Sequence, residues 1–195
     1  MPTWLFGLLL NIAPARLNVD TYSPSVRLSL LVLIFVGTFA VPCLLILYLY
    51  RTGYLTDLTM PDRTDRRLPY LITGVVYSVV TYLFAFRMSL FSDTSPAVAV
   101  VLGSITLSIL LVGIINTIWK ISAHAVGIGG VLGTIMLLLA KHGDTELFLP
   151  FVGLIALSGL VSSARLQLNA HTIGQVSAGL GLGMLVSGLA VFWLV

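Results

Sequence analysis

Three short polar segments interrupt an otherwise apolar chain, and each carries side chains suited to phosphate chemistry. They are Asp62 to Pro69 (DRTDRRLP), Lys120 to His124 (KISAH) and Arg165 to Gln175 (RLQLNAHTIGQ). Arginine binds phosphate oxygens in a bidentate manner and stays charged. Histidine can attack phosphorus as a nucleophile, and a protonated histidine can donate to a leaving oxygen. Together these residue types favour an anionic substrate, most simply a phosphate.

The composition identifies the environment of these segments. Of the 195 residues, 58% are hydrophobic and only 9% are charged, and the net charge is +3. Soluble domains carry about 25% charged residues, so this chain cannot cover a soluble fold with a polar surface. The same composition argues against a disordered chain, and the few, scattered basic residues argue against a nucleic-acid binder. The single cysteine, Cys43, excludes an intrachain disulfide. We conclude that this is an integral membrane protein.

Six apolar segments are long enough to cross a bilayer as helices, which takes about 20 residues. They lie at 27–50, 70–91, 96–119, 123–140, 147–164 and 173–195. Because membrane helices satisfy their own backbone hydrogen bonds, the predicted fold class is all-α. We expect one polytopic helical bundle comprising residues 1–195, without a second domain. Residues 1–14 are apolar but short, and we expect an interfacial or re-entrant helix there rather than a signal peptide.

The number of crossings places the polar segments relative to one another. Two crossings separate the first segment from the second, and two more separate the second from the third. An even number of crossings returns the chain to the same membrane face, so all three segments should share one face. The side chains gathered there include two histidines and a serine, His124, His171 and Ser122, and the cations Arg63, Arg66, Arg67, Lys120 and Arg165.

Glycine is concentrated in the fourth and sixth apolar segments. Small residues let membrane helices approach one another closely. This pattern predicts close packing of these two helices and an interior position for both.

Other uses of the same residues remain open. The two histidines could bind a metal ion, although their own segments contain no carboxylate or thiolate, and only Asp62 and Asp65 could be recruited. The arginines of the first segment could contact anionic lipid, and Lys120 could extend towards the membrane interface. Either histidine could be a hydrogen-bonded interior residue. Tyr70 and Trp119 are typical interface anchors.

The order and spacing of the three segments resemble the type 2 phosphatidic acid phosphatase family. That family carries the motifs K-x6-R-P, P-S-G-H and S-R-x5-H-x3-D, in this order. Arg165 and His171 reproduce R-x5-H, with Ala164 in place of the serine. Ser122-Ala123-His124 stands where S-G-H is expected, after isoleucine rather than proline. The first match is loose, because the basic residues before Pro69 lack the K-x6-R-P spacing.

The resemblance covers about residues 60–195 and implies a phosphohistidine mechanism without a metal or other cofactor. His171 would attack phosphorus, and His124 would protonate the leaving oxygen. The phosphate oxygens would be held by Arg165, Ser122, Lys120, Arg63 and Arg66. The resemblance further implies a lipid phosphate or isoprenoid diphosphate as substrate and the inner membrane of a bacterium as location. The head group, the chain length, the membrane face and the oligomeric state stay open.

One departure from the family pattern concerns the nucleophile. The family's final aspartate, which orients the histidine, is replaced by Gln175. Positions 171 and 175 share a helix face, so the glutamine carbonyl can fix the tautomer of His171 but cannot stabilise an imidazolium as a carboxylate does. In the serine-protease triad, the comparable change of Asp to Asn lowers kcat about 10⁴-fold. A catalytically silent relative that binds anionic lipid or a partner is therefore an alternative, and a small transporter is a third.

Overall fold

The computed structural model describes residues 1–55, 57–58, 60, 64–87 and 96–194, which are helical apart from their connecting turns. The α-helices of this part are Pro2–Ile12 (α1), Pro24–Arg51 (α2), Arg67–Phe86 (α3), Pro96–Ile118 (α4), Ala123–His142 (α5), Phe148–Gln167 (α6) and Ile173–Leu194 (α7). Two 3₁₀ turns, Pro14–Leu17 and Thr145–Leu147, precede α2 and α6.

Helices α2 to α7 are each long and apolar enough to cross a bilayer. For the described residues, the prediction of an all-α fold with six such helices is therefore confirmed, and apart from the C-terminal end of α3 the helix ends lie within three residues of the predicted ones. Proline occupies the first position of α4, where its missing N–H costs no hydrogen bond. The predicted end of the second segment, at residue 91, lies outside the described residues.

The expected short helix before the first long one is α1, and one of its faces packs into the bundle. Leu5, Phe6, Leu9 and Leu10 are at most 2% exposed and belong to the main hydrophobic core. Their spacing places them on one side of the helix. The opposite side carries Trp4, which is 75% exposed. Helix α1 is thus an integral part of the packing.

Proline 42 explains an irregularity within α2. Because Pro42 has no N–H, it cannot donate to the carbonyl of Thr38 four residues earlier. The helix widens to π geometry over Val36–Ala40, and the Tyr77 hydroxyl of α3 donates to the Thr38 carbonyl at 2.7 Å. Pro42 in α2 thus leaves a backbone carbonyl without its usual donor, and a side chain of α3 donates to it instead.

Glycines bring α5 and α7 together backbone against backbone. A Cβ built at Gly133 of α5 would lie 2.7 Å from Cα of Met184, and one at Gly179 of α7 would lie 2.8 Å from the carbonyl oxygen of Ser122. Only glycine permits this approach, as the glycine pattern predicted. The interior position holds for α5, of which 56% is buried, but not for α7, of which only 28% is buried.

Polar contacts fix the chain where α5 ends and α6 begins, which we call the far end. Arg16 donates from Nε and from a terminal nitrogen to the two carboxylate oxygens of Asp144, at 2.7 and 2.6 Å. Arg27 donates to the backbone carbonyls of Leu10, Asp20 and Tyr22. These contacts tie the segment between α1 and α2 in place.

Candidate functional site

A cavity of about 470 Å³ lies among the helices at the opposite end, where α3, α5 and α7 begin. Its lining includes Arg66, just before α3, and His124, in the first turn of α5. It also includes Arg165, in the last turn of α6, and His171, just before α7. The three polar segments thus meet at one cavity. Most other lining residues are apolar, and none of those described is Asp or Glu.

The imidazole of His171 is held in a defined orientation. The residue is 7% exposed, and its Nδ1 lies 3.1 Å from Oε1 of Gln175. The backbone N–H of Thr172 donates to the same Oε1 at 3.2 Å, which identifies this atom as the amide oxygen. The contact with His171 therefore requires the proton on Nδ1. The backbone of Lys120 provides a further hydrogen bond to the ring.

The surroundings of His171 favour its neutral form. Burial lowers the pKa of the imidazole below its ordinary value of 6.5, and the guanidinium groups of Arg66 and Arg165 lower it further. The hydrogen bonds to Gln175 and to the Lys120 backbone oppose this effect without reversing it. His171 is thus unprotonated at neutral pH, the state that a nucleophile requires.

Gln175 has a second role at the start of α7. Its backbone N–H donates to Oγ1 of Thr172 at 3.4 Å, while its side chain accepts from the Thr172 backbone N–H. This reciprocal arrangement is a capping box, in which Thr or Ser is followed three residues later by Gln or Glu. The T-x-x-Q spacing was visible in the sequence. Gln175 thus orients His171 and caps α7 with one amide group.

Arg66 is a buried cation, 9% exposed, at the N-cap of α3. Its Nε donates to the carbonyl oxygen of Met60 at 2.8 Å, and its guanidinium hydrogen-bonds the hydroxyl of Tyr70. Met60 has a positive φ of 46°, a left-handed conformation that is uncommon outside glycine. The local chain thus adopts an unusual backbone geometry where it holds this guanidinium by Nε.

Arg165 and His124 are the two other predicted site residues in the lining. Nε of Arg165 is buried and has no hydrogen-bond partner among the described residues. The exposed His124 lies within electrostatic range of Arg165 and Arg66. A buried cationic N–H without an acceptor costs free energy. Because Arg165 also lines the cavity, its guanidinium can pair with an anion bound there.

Three other predicted phosphate ligands have different positions. Ser122 is fully buried away from the cavity lining, and its Oγ caps α5 by accepting from the Ala125 N–H at 3.4 Å. The side chain of Lys120 is not part of the lining, although its backbone contacts His171. Arg63 lies outside the described residues. The structure therefore brings together four of the predicted side chains directly and Gln175 through His171.

Sequence reasoning missed part of the lining. Tyr70, expected as an interface anchor, lies in the cavity wall beside Arg66. Its position four residues after Arg66 places both on one helix face, a signal that the sequence contained. Deeper in the cavity, Tyr77 and Ser108 lie on helices α3 and α4 with no recognisable motif.

The described residues contain no group of three or more His, Cys, Asp or Glu side chains that could hold a metal ion. Comparison of the chain with protein-family models, with curated proteins and with solved structures found no match.

Proposed function

We propose that this protein is an integral membrane phosphatase that hydrolyses a lipid phosphate or an isoprenoid diphosphate through His171. The observation that supports this proposal is the convergence of two guanidiniums and two imidazoles on a cavity with otherwise mainly apolar walls. Such a site has charged donors for a phosphate group and apolar surface for a hydrocarbon chain. The resemblance to the type 2 phosphatidic acid phosphatases points to the same activity, in the inner membrane of a bacterium.

The proposed reaction has two displacements at phosphorus. Nε2 of His171 forms a bond to phosphorus while the bond from phosphorus to the leaving oxygen breaks, and His124 gives that oxygen a proton. Water then attacks the phosphohistidine, His124 takes a proton from the water, and His171 and phosphate are released. Arg66 and Arg165 stabilise the charge on the phosphoryl oxygens in both steps.

Phosphate release by the purified protein in detergent tests this proposal. We would use phosphatidic acid, phosphatidylglycerophosphate, a long-chain alkyl phosphate and an isoprenoid diphosphate, each in the presence of chelator. The expected result is release that survives the chelator and falls at least 10⁴-fold in His171→Ala, since removing a nucleophile abolishes covalent catalysis. His142→Ala is the matched control, because His142 lies at the far end. Equal activity of His171→Ala and the unchanged protein would refute the role of His171.

A catalytically silent lipid-phosphate binder is the second candidate, and one observation favours it. Within the described parts of the chain, the amide of Gln175 is the side chain that contacts Nδ1 of His171, and it also caps α7. An amide fixes the tautomer but does not stabilise the imidazolium that forms during turnover. For this candidate we expect saturable binding of an alkyl phosphonate that is weaker in Arg165→Gln. We also expect no phosphate release from any of the substrates.

A further inference from the structure

Two tyrosines on the same face of α3, Tyr70 and Tyr77, line the cavity. The Tyr77 hydroxyl donates its hydrogen to the backbone carbonyl of Thr38 at 2.7 Å. That carbonyl lacks its usual helical donor because of Pro42, so the hydroxyl of Tyr77 is used to hold α2 and α3 together. The hydroxyl of Tyr70 has a different kind of partner.

The partner of the Tyr70 hydroxyl is the guanidinium of Arg66, one helical turn earlier. A guanidinium has five N–H donors and no acceptor, so the oxygen of Tyr70 must accept this hydrogen bond. The phenolic hydrogen takes no part in it and is left for another acceptor. The described lining of the cavity contains no Asp or Glu side chain that could take it. An acceptor that a ligand brings into the cavity can do so.

Packing holds the Tyr70 hydroxyl in position before any ligand binds. The ring of Tyr70 packs against the small apolar cluster of Val112, Ile121 and Val126, which lies between α4 and α5. Arg66, which donates to the hydroxyl, is itself only 9% exposed. A donor that is already ordered loses little conformational entropy when a ligand binds.

The charges around Tyr70 are those expected to hold a phosphate. Tyr70 lies within electrostatic range of Arg165 as well as Arg66. A transferring phosphoryl group spreads its charge over three oxygens, so two guanidiniums leave room for a further donor. The sequence predicted Ser122 and Lys120 for this role, but neither side chain lines the cavity. A hydroxyl close to both guanidiniums can take that role.

We propose that Tyr70 is a further catalytic residue, whose hydroxyl accepts a hydrogen bond from Arg66 and donates one to a phosphoryl oxygen of the substrate. The inference rests on the proposed phosphatase function and adds a residue that belongs to none of the three polar segments. Because hydrogen bonds in a chain polarise one another, a hydroxyl that accepts from a guanidinium is a stronger donor than an isolated one. The hydroxyl is neutral, so it adds a donor without a third positive charge beside Arg66 and Arg165.

The substitution Tyr70→Phe tests this role, because it removes the hydroxyl and keeps the ring and its packing. We expect kcat/KM for phosphate release to fall about 10- to 100-fold, the range for loss of a hydrogen bond to a charged group. Tyr82→Phe is the matched control, since Tyr82 lies on an outward face of the same helix and is 49% exposed. It should leave kcat/KM unchanged. Equal activity of Tyr70→Phe and the unchanged protein would overturn the proposal.

Binding of a long-chain alkyl phosphonate separates this inference from the proposed function. Its affinity, measured by isothermal titration, should fall at least about tenfold in Tyr70→Phe and much less in Tyr77→Phe, whose hydroxyl is already used by Thr38. A loss in Tyr70→Phe supports the contact with phosphate even if no substrate is turned over. An unchanged phosphonate affinity overturns it even if phosphate is released.

The alcohol of the same chain length shows whether the loss concerns the phosphate group. This alcohol has no phosphoryl oxygen, so its affinity should be the same in Tyr70→Phe and in the unchanged protein. An equal loss of affinity for the alcohol and the phosphonate would overturn the proposal, because the substitution would then have disturbed the cavity as a whole.

A double-mutant cycle distinguishes contact with the phosphate from an effect exerted through Arg66. Arg66→Met removes the guanidinium and keeps an unbranched apolar side chain. A tyrosine that only positioned Arg66 would have no further effect in this background, whereas direct contact predicts that Tyr70→Phe still lowers phosphonate affinity about threefold or more. Absence of this further loss would overturn the contact and leave Tyr70 as a positioning residue.

Discussion

Arginine has two different environments at the two ends of this bundle. At the far end, both carboxylate oxygens of Asp144 accept hydrogen bonds from Arg16. At the cavity end, Arg66 donates Nε to a backbone carbonyl, and Nε of Arg165 has no partner in the described part of the chain. The one salt bridge among the described residues is the pair at the far end.

The difference separates a structural cation from a binding cation. An arginine that is paired with a carboxylate of the same protein holds two segments together and is not available to a ligand. An arginine beside a cavity without a carboxylate keeps its charge for an external anion, at a free-energy cost to the unliganded protein. Charge pairing therefore distinguishes the two uses better than residue type, since all three side chains are guanidiniums.

The sharpest test replaces the arginines one at a time. Arg165→Gln and Arg66→Gln should each lower kcat/KM by about 10²- to 10³-fold, the effect of removing one donor to a transition-state oxyanion. Arg16→Gln should leave kcat/KM within about twofold, because it touches no cavity residue. Phosphate release under identical micelle conditions measures all three. Similar losses in Arg16→Gln and Arg165→Gln would erase the distinction between the two ends.

Gln175→Glu introduces a carboxylate beside His171, at a cavity whose described lining contains neither Asp nor Glu. Glutamate keeps the capping box and stabilises an imidazolium at position 171, so kcat should rise at least tenfold. Gln175→Ala, which removes cap and acceptor together, should lose about 1 kcal/mol of stability and most of the activity. Steady-state kinetics and thermal unfolding measure these effects. An unchanged kcat in Gln175→Glu would mean that formation of the imidazolium does not limit turnover.

The dependence of activity on pH should reflect the cations around His171. Burial and the two guanidiniums lower its pKa below 6.5, and only the neutral ring attacks phosphorus, so kcat/KM should hold as the pH falls to 6.5 and decline only below it. In Arg66→Gln one of the lowering causes is absent, and the acidic limb should move to higher pH. A wild-type limb above pH 6.5 would contradict this assignment.

The smallest effect is expected at the far end, on stability alone. Arg16 and Asp144 are partly exposed, with 29% and 20% of their side chains accessible, so solvent screening limits the pair to about 1 kcal/mol. The hydrogen bond from Arg16 lowers the pKa of Asp144 below 3.8. The pair therefore stabilises the fold above that value, and its contribution is lost as the pH falls through the lowered pKa.

Thermal unfolding of Asp144→Asn beside the unchanged protein measures this contribution. The two proteins should differ in Tm at neutral pH and converge in acid and in 1 M salt, where charges are screened. A difference in Tm that persists in acid would mean that the pair acts through packing rather than charge.

Hydropathy was sufficient to predict the six long helices, because each is a nearly continuous apolar run. The parity of crossings was sufficient to group His124, Arg165, His171 and Arg66, since each adjoins a helix end and an even number of crossings separates them. The concentration of glycine likewise predicted the close packing of α5 and α7. Two helices can approach this closely only where a side chain is absent, as at Gly133, and that absence can be seen in the sequence.

The direction in which each polar side chain points could not be predicted from the sequence. Ser122 and His124 are two residues apart, yet Ser122 caps α5 while His124 lines the cavity. Lys120 contributes a backbone contact to His171, whereas Arg66, equally basic, lies in the cavity wall. These outcomes depend on the rotation of each helix against its neighbours and on which hydrogen bonds its cap requires, neither of which follows from spacing alone.

The sequence by itself thus determined the apolar character of the chain, the number of long helices and the end of the bundle where the polar segments meet. These properties follow from the apolar area and length of each segment and from the even number of crossings between the polar segments. All of these can be counted along the chain. Only the tertiary structure showed that α1 forms one side of a mainly apolar cavity and that Arg66 and Arg165 line this cavity together with two histidines. It also showed that Arg16 is paired with a carboxylate at the far end. Those facts depend on contacts between residues far apart in sequence, where packing selects one arrangement among many that hydropathy allows.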